Sequence, residues 1–484
     1  MNDERKSLLA EAAAVIRRFP GRPVTIDSRH VAKDGIFIAV SGFNFEGKAF
    51  IGDAVERGAK VVVFSGELAE RIPGIDYVQV SNTRKIVSYF YKVLQNYPDE
   101  AMKLYTVTGT NGKTTSAFLI RSILSSAGVS CGLFSTVSYH DGKKELPSSR
   151  TTPDAIEFFE LLAAMKANGI QAVAMESSSH SLEQHRIDAA GISGAIFTNL
   201  TGDHLDYHKT MENYFAAKVR LFTELLEQNG TAAINLDDPY GRKLAEILGG
   251  TDKFSGFGSA ADAAFRIANP VVKLDGVEFE LIHAGEKIKV ASPLAGSYNI
   301  HNLAGVLTLL WSEGFTPELL EKAVNHPFQV PGRLEMVETV SPARFFVDFA
   351  HTDDALQNVL ATVKTFVKGR LWLVFGAGGD RDKSKRSRMG EVAAEYADEI
   401  IVTSDNPRSE DPEDIIAEIA SGFPAECKWT KIVDRREALQ FAVRNARCGD
   451  VVIVAGKGHE DYQEIAGVKH PFDDRKILRE IGRG

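Results

Sequence analysis

The sequence predicts an α/β protein built from parallel sheets. Short apolar runs alternate with longer helical patterns from residue 104 to about residue 330, which is typical of βαβ units and a doubly wound sheet. The chain has 484 residues, which at roughly 150 residues per domain corresponds to about three domains. Most chemically suggestive residues directly follow a predicted strand, where ligands gather in open α/β sheets.

A first break in the pattern lies at residues 96–100, where Asn, Pro and two acidic residues interrupt the chain. Apolar strands are predicted before it at residues 35–40 and 60–64, and a new strand after it at residues 104–108. We therefore predict a first domain at residues 1–98.

A second break lies at residues 326–332, which hold two prolines and a glycine. Four further strand-like runs follow, separated by helical patterns, at residues 345–347, 371–375, 400–403 and 451–455. The predicted second and third domains are therefore residues 99–331 and 332–484.

Composition restricts the class of protein. Apolar residues make up 44% and charged residues 25% of the chain, as in soluble globular proteins. The net charge of −9 gives no global attraction to nucleic acid or to an anionic membrane. The three cysteines form no CxxC pair, and no apolar run reaches the ~18 residues of a membrane helix. We expect a cytoplasmic monomer that neither binds nucleic acid nor inserts into a membrane.

A glycine-rich loop follows the strand at residues 104–108 and opens a helix. Its glycines would let the backbone approach a phosphate, and the helix N-terminus would supply N–H donors. Lys113 would neutralise the β- and γ-phosphates, and a threonine hydroxyl would bind Mg²⁺. A plain glycine-rich turn is the alternative. The predicted ATP-binding residues of this loop are Gly109, Thr110, Asn111, Gly112, Lys113, Thr114 and Thr115.

Nine further motifs occur in the order found in one enzyme family. They lie at residues 151–153, 175–180, 198–208, 216–218, 301–305, 331–333, 378–383, 405–408 and 456–460. With the loop, they make the chain resemble the ATP-dependent Mur ligases over essentially its whole length. The resemblance implies three domains, with a central P-loop ATPase-like parallel sheet and a C-terminal Rossmann-like domain. It is strongest to the members that extend UDP-N-acetylmuramoyl-L-alanyl-D-glutamate by one amino acid in peptidoglycan precursor synthesis.

The resemblance implies a two-step reaction through an acyl phosphate, with ATP and Mg²⁺. Lys113, Glu176, His204 and Lys218 carry over as the catalytic residues, and Thr114, Glu176, His204 and Lys218 as the metal-binding ones. Considered alone, Glu176 is better explained as a helix N-cap and His204 as a turn residue; the phosphate loop and the resemblance together favour metal binding by both.

The resemblance also implies that CO₂ carbamylates Lys218. This chemistry needs a neutral amine, and hence a lysine whose pKa is depressed by burial. The alternative is a surface lysine that pairs with Glu212 or Glu224.

Three more ATP contacts carry over from the family. They are Asn302 on the adenine side, Arg333 at the phosphates and Asp348 at the ribose. The chain departs from the family near Asp348, because Phe349 stands where tyrosine is usual and Asp353 where proline is usual.

Two groups of residues match the family's site for the UDP-sugar peptide. The uridine-diphosphate group also has the composition of an ordinary turn, whereas Arg186 offers a bidentate donor to an anionic substrate. The full set is Ile26, Ser28, Asn44, Thr151, Thr152, Ser178, Gln184 and Arg186.

The amino-acid substrate is predicted from residues 405–408. Arg408 can grip the distal carboxylate that distinguishes meso-2,6-diaminopimelate from L-lysine, and in the family an Asn-Pro-Arg sequence accompanies diaminopimelate. Alternatively, Arg408 caps a turn and pairs with Glu410 or Asp411. The predicted diaminopimelate-binding residues are Arg381, Asp405, Asn406, Pro407, Arg408, Gly456 and Glu460.

Three other functions stay open at this point: a lysine-adding relative, a folylpolyglutamate-synthase-like ligase, and a non-catalytic nucleotide-binding regulator. The presence of Glu176, His204 and Lys218 together argues against the regulator. The residues 27–29 and 405–408 argue against the folate enzyme, which has neither motif.

Overall fold

The computed structural model describes residues 3–41, 46–250, 254–326 and 329–481. Its main sheets follow one another along the chain, with four, eleven and six strands, and a two-stranded hairpin follows near the end. Helices connect the parallel strands, so the predicted α/β class is confirmed.

The first sheet is entirely parallel, in the order β1-β2-β3-β4. Its strands are β1 (Val24–Thr25), β2 (Ile36–Ile38), β3 (Val61–Phe64) and β4 (Asp76–Gln79). The helices of this region are α1 (Asp3–Arg18), α2 (Ile51–Glu56) and α3 (Thr83–Leu94). The predicted break after them is a short 3₁₀ helix at Pro98–Ala101.

The second sheet has the order β15-β14-β13-β12-β11-β10-β5-β9-β6-β7-β8. Its first six strands are β5 (Lys103–Thr108), β6 (Cys131–Phe134), β7 (Ser138–His140), β8 (Glu145–Pro147), β9 (Ala172–Glu176) and β10 (Ile192–Phe197). The other five are β11 (Leu226–Asn235), β12 (Ser255–Gly258), β13 (Phe265–Lys273), β14 (Gly276–His283) and β15 (Glu286–Ser292). Because β5 lies between β9 and β10, the loops after these three strands meet at one edge of the sheet.

The helices of the second region connect and cover these strands. They are α4 (Lys113–Ser126), α5 (Ala155–Ala167), α6 (Ser179–Glu183), α7 (Leu205–His208), α8 (Met211–Arg220), α9 (Pro239–Leu248), α10 (Tyr298–Ser312) and α11 (Pro317–Val324). A π-helical turn at Leu221–Leu225 continues α8.

The second sheet contains the predicted parallel strands at its centre, but both of its ends are antiparallel. Strands β6, β7 and β8 pair antiparallel, and so do β13, β14 and β15. In β14 and β15 buried residues alternate with exposed or half-buried ones, as in Val277, Phe279 and Leu281. A strand with this period of two buries one face only, which suits an antiparallel meander better than a two-sided parallel sheet.

The third sheet has the order β16-β17-β21-β18-β19-β20 and is parallel except for β16. Its strands are β16 (Glu335–Val337), β17 (Arg344–Asp348), β18 (Leu371–Phe375), β19 (Glu399–Val402), β20 (Thr430–Lys431) and β21 (Val451–Ala455), and the hairpin is β22 (Tyr462–Ile465) with β23 (Val468–Pro471). The helices are α12 (Asp353–Lys364), α13 (Ser384–Tyr396), α14 (Pro412–Ala420), α15 (Arg435–Asn445) and α16 (Asp474–Glu480).

All four strand-like runs predicted for this region coincide with β17, β18, β19 and β21. The domain boundaries at residues 98 and 331 lie between the sheets and stay predictions. Within the described ranges, no helix combines the length and apolar character needed to cross a membrane.

Candidate active site

The glycine-rich loop joins β5 to α4 and requires its glycines. Gly109 has a φ of +150°, and a Cβ there would lie 1.9 Å from the hydroxyl of Thr198. Gly112 has a φ of +87°, and a Cβ there would lie 2.2 Å from Oδ1 of Asn302. No other residue fits either position without moving its neighbour.

The segment after β10 fixes the shape of this loop. The backbone N–H of Thr110 donates to the carbonyl of Asn199 at 2.9 Å, and the N–H of Asn111 donates to the side-chain Oδ1 of Asn199 at 2.9 Å. The Thr198 hydroxyl donates to the Asn111 carbonyl at 2.6 Å. The loop is therefore a preformed cradle at the N-terminus of α4, the arrangement that binds phosphate in other proteins.

Lys113 folds over this cradle. Its ammonium donates to the carbonyls of Gly109 and Thr110, at 2.9 and 2.7 Å. Burial lowers its pKa, and the nearby charge of Glu176 opposes that shift. Among the described residues no carboxylate lies within ion-pair distance of Lys113, so a phosphate would supply its first anionic partner.

Glu176 ends β9 and is fully buried. Its carboxylate accepts the backbone N–H of Thr136 at 2.7 Å and the hydroxyl of Thr114 at 3.1 Å. Burial raises its pKa, and Lys113 is the main opposing influence. The N-cap alternative is wrong, because the side chain of Ser178 caps the following helix α6. Thr136 follows β6, so the rule that site residues follow strands would have found it.

His204 lies before α7 with a φ of +54°. Its Nε2 lies 3.4 Å from the Asp203 carboxylate, and its ring centroid lies 4.9 Å from that of His180. Burial lowers its pKa to about 4, although Asp203 opposes the shift. The imidazole is therefore neutral near pH 7, which is the form that binds metal ions.

Lys218 is buried in α8 with only 1% of its surface exposed. Its ammonium donates to the carbonyl of Gly109 at 2.8 Å and lies 4.7 Å from the ring centre of Tyr214. Desolvation lowers its pKa well below the ordinary value, and the charge of Lys113 lowers it further. The surface-lysine alternative is wrong, and Glu224 pairs instead with Arg220 at 2.9 Å.

The third region closes onto the phosphate loop. Nη2 of Arg333 donates to the hydroxyl of Thr114 at 3.1 Å, and its guanidinium lies 4.8 Å from the ring centre of Phe349. Oδ2 of Asp354 accepts the side-chain amide of Asn111 at 2.8 Å and the hydroxyl of Thr201 at 3.1 Å. The sequence pointed to Arg333, but nothing in it indicated a role for Asp354.

The other two residues predicted to contact ATP, Asp348 and Asn302, are held in place by hydrogen bonds. The Asp348 carboxylate accepts the backbone N–H groups of Leu334 and Ala350, each at 2.7 Å, and burial raises its pKa. Asn302 packs against Gly112 and donates to the side chain of Asn299 at 2.9 Å. Their contacts with adenine and ribose stay predictions.

The residues predicted for the muramoyl peptide converge beside Glu176. The hydroxyl of Thr152 donates to the Glu176 carbonyl at 2.8 Å and accepts the N–H of Ser178 at 3.1 Å. Arg186 donates to the carbonyl of Thr152 at 2.9 Å and to the side-chain oxygen of Gln184 at 2.7 Å.

Thr151 joins the same group, because its hydroxyl accepts that of Thr136 at 3.1 Å. In the first region, Ile26 is 38% exposed, while Ser28 is buried. Asn44 lies outside the described residues. Binding of the UDP-sugar peptide by all these residues stays a prediction.

Arg408 faces two neighbouring segments rather than its own turn. Its Nη1 donates to the carbonyl of Gly379 at 2.6 Å, and its Nε lies 3.4 Å from the carboxylate of Glu464. The alternative pairing with Glu410 or Asp411 is wrong: Glu410 accepts two hydrogen bonds from the buried Arg386, and Asp411 caps α14.

The remaining predicted diaminopimelate residues follow the ends of β18, β19 and β21. Nδ2 of Asn406 donates to Glu460 at 2.8 Å. A Cβ on Gly456, whose φ is +109°, would lie 2.6 Å from Oδ2 of Asp405. Arg381 is exposed, and the Pro407 carbonyl lies against Gly379. One buried cation in this cluster, Lys457, had no predicted role.

The fold and the site define an α/β protein that binds a nucleoside triphosphate through a phosphate loop with an adjoining buried carboxylate. The chain belongs to the Mur ligase family. Family models match at residues 22–89 (Mur ligase family, catalytic domain), 107–310 (Mur ligase middle domain) and 332–458 (Mur ligase, glutamate ligase domain).

Curated relatives match nearly the whole chain. A UDP-N-acetylmuramoyl-L-alanyl-D-glutamate--2,6-diaminopimelate ligase of Aquifex aeolicus is 40% identical over 98% of this chain and 96% of its own length. One of Geobacter sulfurreducens is 40% identical over 93% and 92%.

A solved structure with that same ligase name is 36% identical, with a TM-score of 0.69 over 96% of this chain and 95% of its own. The MurF ligase of Thermotoga maritima in complex with ADP is 19% identical, with a TM-score of 0.60 over 94% and 95%, and shows the fold alone.

Proposed function

We propose that the protein is an ATP-dependent ligase that joins meso-2,6-diaminopimelate to the D-glutamate of UDP-N-acetylmuramoyl-L-alanyl-D-glutamate, in peptidoglycan precursor synthesis. The observation that carries the proposal is the pair of arginines in the third region: Arg333 donates to Thr114 of the phosphate loop, and the half-buried Arg408 follows β19 beside Gly379 and Glu464. The relatives named above, at 40% identity over nearly the full length, support it.

In the first step, an oxygen of the D-glutamate side-chain carboxylate attacks the γ-phosphorus of ATP. The bond to the β-phosphate oxygen breaks, and ADP leaves an acyl phosphate behind. Lys113 moves from its carbonyl partners to the phosphates, where it stabilises the charge of the transition state. Positioning and electrostatics supply nearly all the catalysis of phosphoryl transfer.

In the second step, the amino group of diaminopimelate attacks the acyl carbon, loses a proton and expels phosphate. An acyl phosphate reacts with water, so the site has to exclude solvent during this step. Arg333 and Asp354 hold the third region against the phosphate loop and serve this purpose.

Thr114, Glu176, His204 and carbamylated Lys218 are the residues that would hold Mg²⁺. Glu176 and Thr114 fit the ion, because two oxygen donors lie side by side at the phosphate loop. The described residues contain no cluster of three or more His, Cys, Asp or Glu side chains suited to a metal, so phosphate oxygens would complete its shell. Bound there, Mg²⁺ would neutralise charge on the transferring phosphoryl group.

The carbamate fits the surroundings of Lys218. Its depressed pKa favours the neutral amine that reacts with CO₂. The product would be an anion, which also relieves the repulsion between Lys218 and Lys113. Neutral His204 would be the metal's nitrogen donor.

The experiment is phosphate release from ATP, measured with both substrates and with each omitted in turn. We expect release only when ATP, the UDP-muramoyl dipeptide and meso-diaminopimelate are all present, at one phosphate per amide bond. A non-catalytic regulator would release none, a folate ligase would need a folate, and a lysine-adding enzyme would accept L-lysine equally. Light scattering during gel filtration tests the expected monomer, and cell fractionation tests the cytoplasmic location.

A further inference from the structure

Lys457 is a fully buried lysine directly after β21. Its ammonium lies 3.2 Å from Oδ1 of Asn406, 3.2 Å from Oε2 of Glu460 and 3.6 Å from Oδ1 of Asp405. It also lies 5.6 Å from the ring centre of Tyr462. The side chain therefore contacts three of the residues predicted to bind diaminopimelate.

The neighbouring cations are engaged elsewhere. Arg435 donates its Nε and Nη2 to the carboxylate of Asp474, at 2.9 and 2.8 Å, although its charge also interacts with Asp405 and Glu460. Arg408 pairs with Glu464. Lys385 interacts electrostatically with Asp405 at longer range but forms no ion pair within the described residues. Lys457 is thus the cation in direct contact with both Asp405 and Glu460.

Lys457 also sets the direction of the Asn406 side chain. Oδ1 of Asn406 accepts the Lys457 ammonium and the backbone N–H of Glu464, at 3.2 and 2.9 Å. Nδ2 consequently points at Glu460, which it meets at 2.8 Å. Without the lysine, the amide would lose one of the two contacts that fix its orientation.

We propose that Lys457 is a positioning residue for the amino-acid substrate, which holds the carboxylates of Asp405 and Glu460 side by side and orients Asn406 between them. The two carboxylates then present a fixed negative site to an ammonium group of an amino acid with a charged distal end. This role rests on the proposed ligase function. It assigns substrate affinity, rather than phosphoryl transfer, to Lys457.

Removing the ammonium would leave two carboxylates close together in a buried site. Burial and the charge of Asp405 already raise the pKa of Glu460, and Lys457 is the main influence against them. Without Lys457 the pKa of Glu460 would rise further, because its main stabilising charge is lost while the repulsion from Asp405 remains. At higher pH Glu460 would lose its proton, and the negative site would be restored.

The test is Lys457→Met, with initial rates measured from pH 6.5 to 9.5 in the full-length protein. We expect the KM for diaminopimelate to rise about tenfold or more near pH 7, the cost of breaking a buried charge pair, with a smaller change in kcat and in the KM for ATP. The defect should shrink as the pH rises. Lys457→Arg should retain most of the affinity, and Lys431→Met, which removes an exposed lysine paired with Glu413, is the matched control.

Two further comparisons keep the test decisive. If Lys457→Met is unfolded at the assay temperature, the same change is made in a Glu460→Gln background. The glutamine cannot be protonated as a carboxylate can, so the effect of Lys457→Met on the KM for diaminopimelate should no longer depend on pH. The proposal would be overturned if the KM of Lys457→Met for diaminopimelate stayed within threefold of wild type, or if it rose by the same factor at every pH. If the wild type releases no phosphate with diaminopimelate, the proposed function fails instead.

Discussion

The phosphate loop and the amino-acid site handle buried charge in opposite ways. At the loop, the side-chain nitrogens of Lys113 and Lys218 both donate to one backbone carbonyl, that of Gly109, and no described carboxylate pairs with either. In the third region buried cations are paired: Lys457 with Glu460, Arg386 with Glu410 and Arg435 with Asp474.

This difference indicates where each site obtains its counter-charges. Burying a cation without a partner is costly, so the loop is organised for anions that arrive with the substrates. The third region already contains the carboxylates that pair with its buried cations. Its charged side chains are therefore fixed before the substrate binds. Substitutions at the loop should therefore act on the chemistry, and those in the third region on the choice and affinity of the amino acid.

The largest effect is expected for Lys113→Ala. The substitution removes the charge nearest the transferring phosphoryl group, so kcat should fall by about 10³-fold or more. Phosphate release and product formation measure it, with a thermal melt to show that the variant is folded. Ligation within a few-fold of wild type would show that Lys113 does not serve the phosphates.

Lys218→Ala should be severely impaired, by about 10²-fold in kcat, because it deletes the proposed anion beside the metal. Adding formate or acetate should restore part of the activity by filling the vacated space with a carboxylate. Lys113→Ala with the same additive is the control and should show no rescue. Full activity of Lys218→Ala without additive would contradict the carbamate.

The strand, loop and helix at residues 103–126 could be predicted from the sequence because their determinants are local, whereas ATP binding by the loop stays a prediction. The glycines and Lys113 lie within one strand-to-helix turn, and Glu176 ends a recognisable strand. The third-region parallel strands were predicted for the same reason. Contacts between regions were not predicted, since the hydrogen bond that the Asn111 amide donates to Asp354 depends on how the two regions pack. Lys457 lay in a recognised motif, yet its burial among carboxylates follows only from the tertiary structure.

Arg408→Ala tests whether substitutions in the third region act on the choice and affinity of the amino acid. The KM for meso-diaminopimelate should rise and kcat/KM fall by about 10²-fold, because the half-buried cation proposed to bind the distal carboxylate is lost. Use of L-lysine should change far less, since it has no carboxylate there. Competition between the two amino acids measures this directly. A wild type that adds L-lysine as efficiently as diaminopimelate would refute this specificity, whatever happens at the ATP site.

The smallest effect is expected for Asp354→Ala, at the contact that joins the third region to the phosphate loop. One carboxylate oxygen accepts bonds from Asn111 and Thr201, and their loss should weaken closure. Hydrogen bonds to a charged group contribute about 1.5–3 kcal/mol, and partial exposure of Asp354 puts its effect at the lower end, near tenfold or less in kcat.

Asp354→Ala also has a signature that a simple loss of stability would not produce. A looser closure admits water to the acyl phosphate, so phosphate released per amide bond should rise above one. Thr201→Val removes one of the two bonds and should give an intermediate ratio. Asp353→Ala, which loses only its pair with Arg388 in the same region, should keep the ratio at one. A ratio of one in Asp354→Ala at reduced kcat would mean that this contact positions the loop without excluding water.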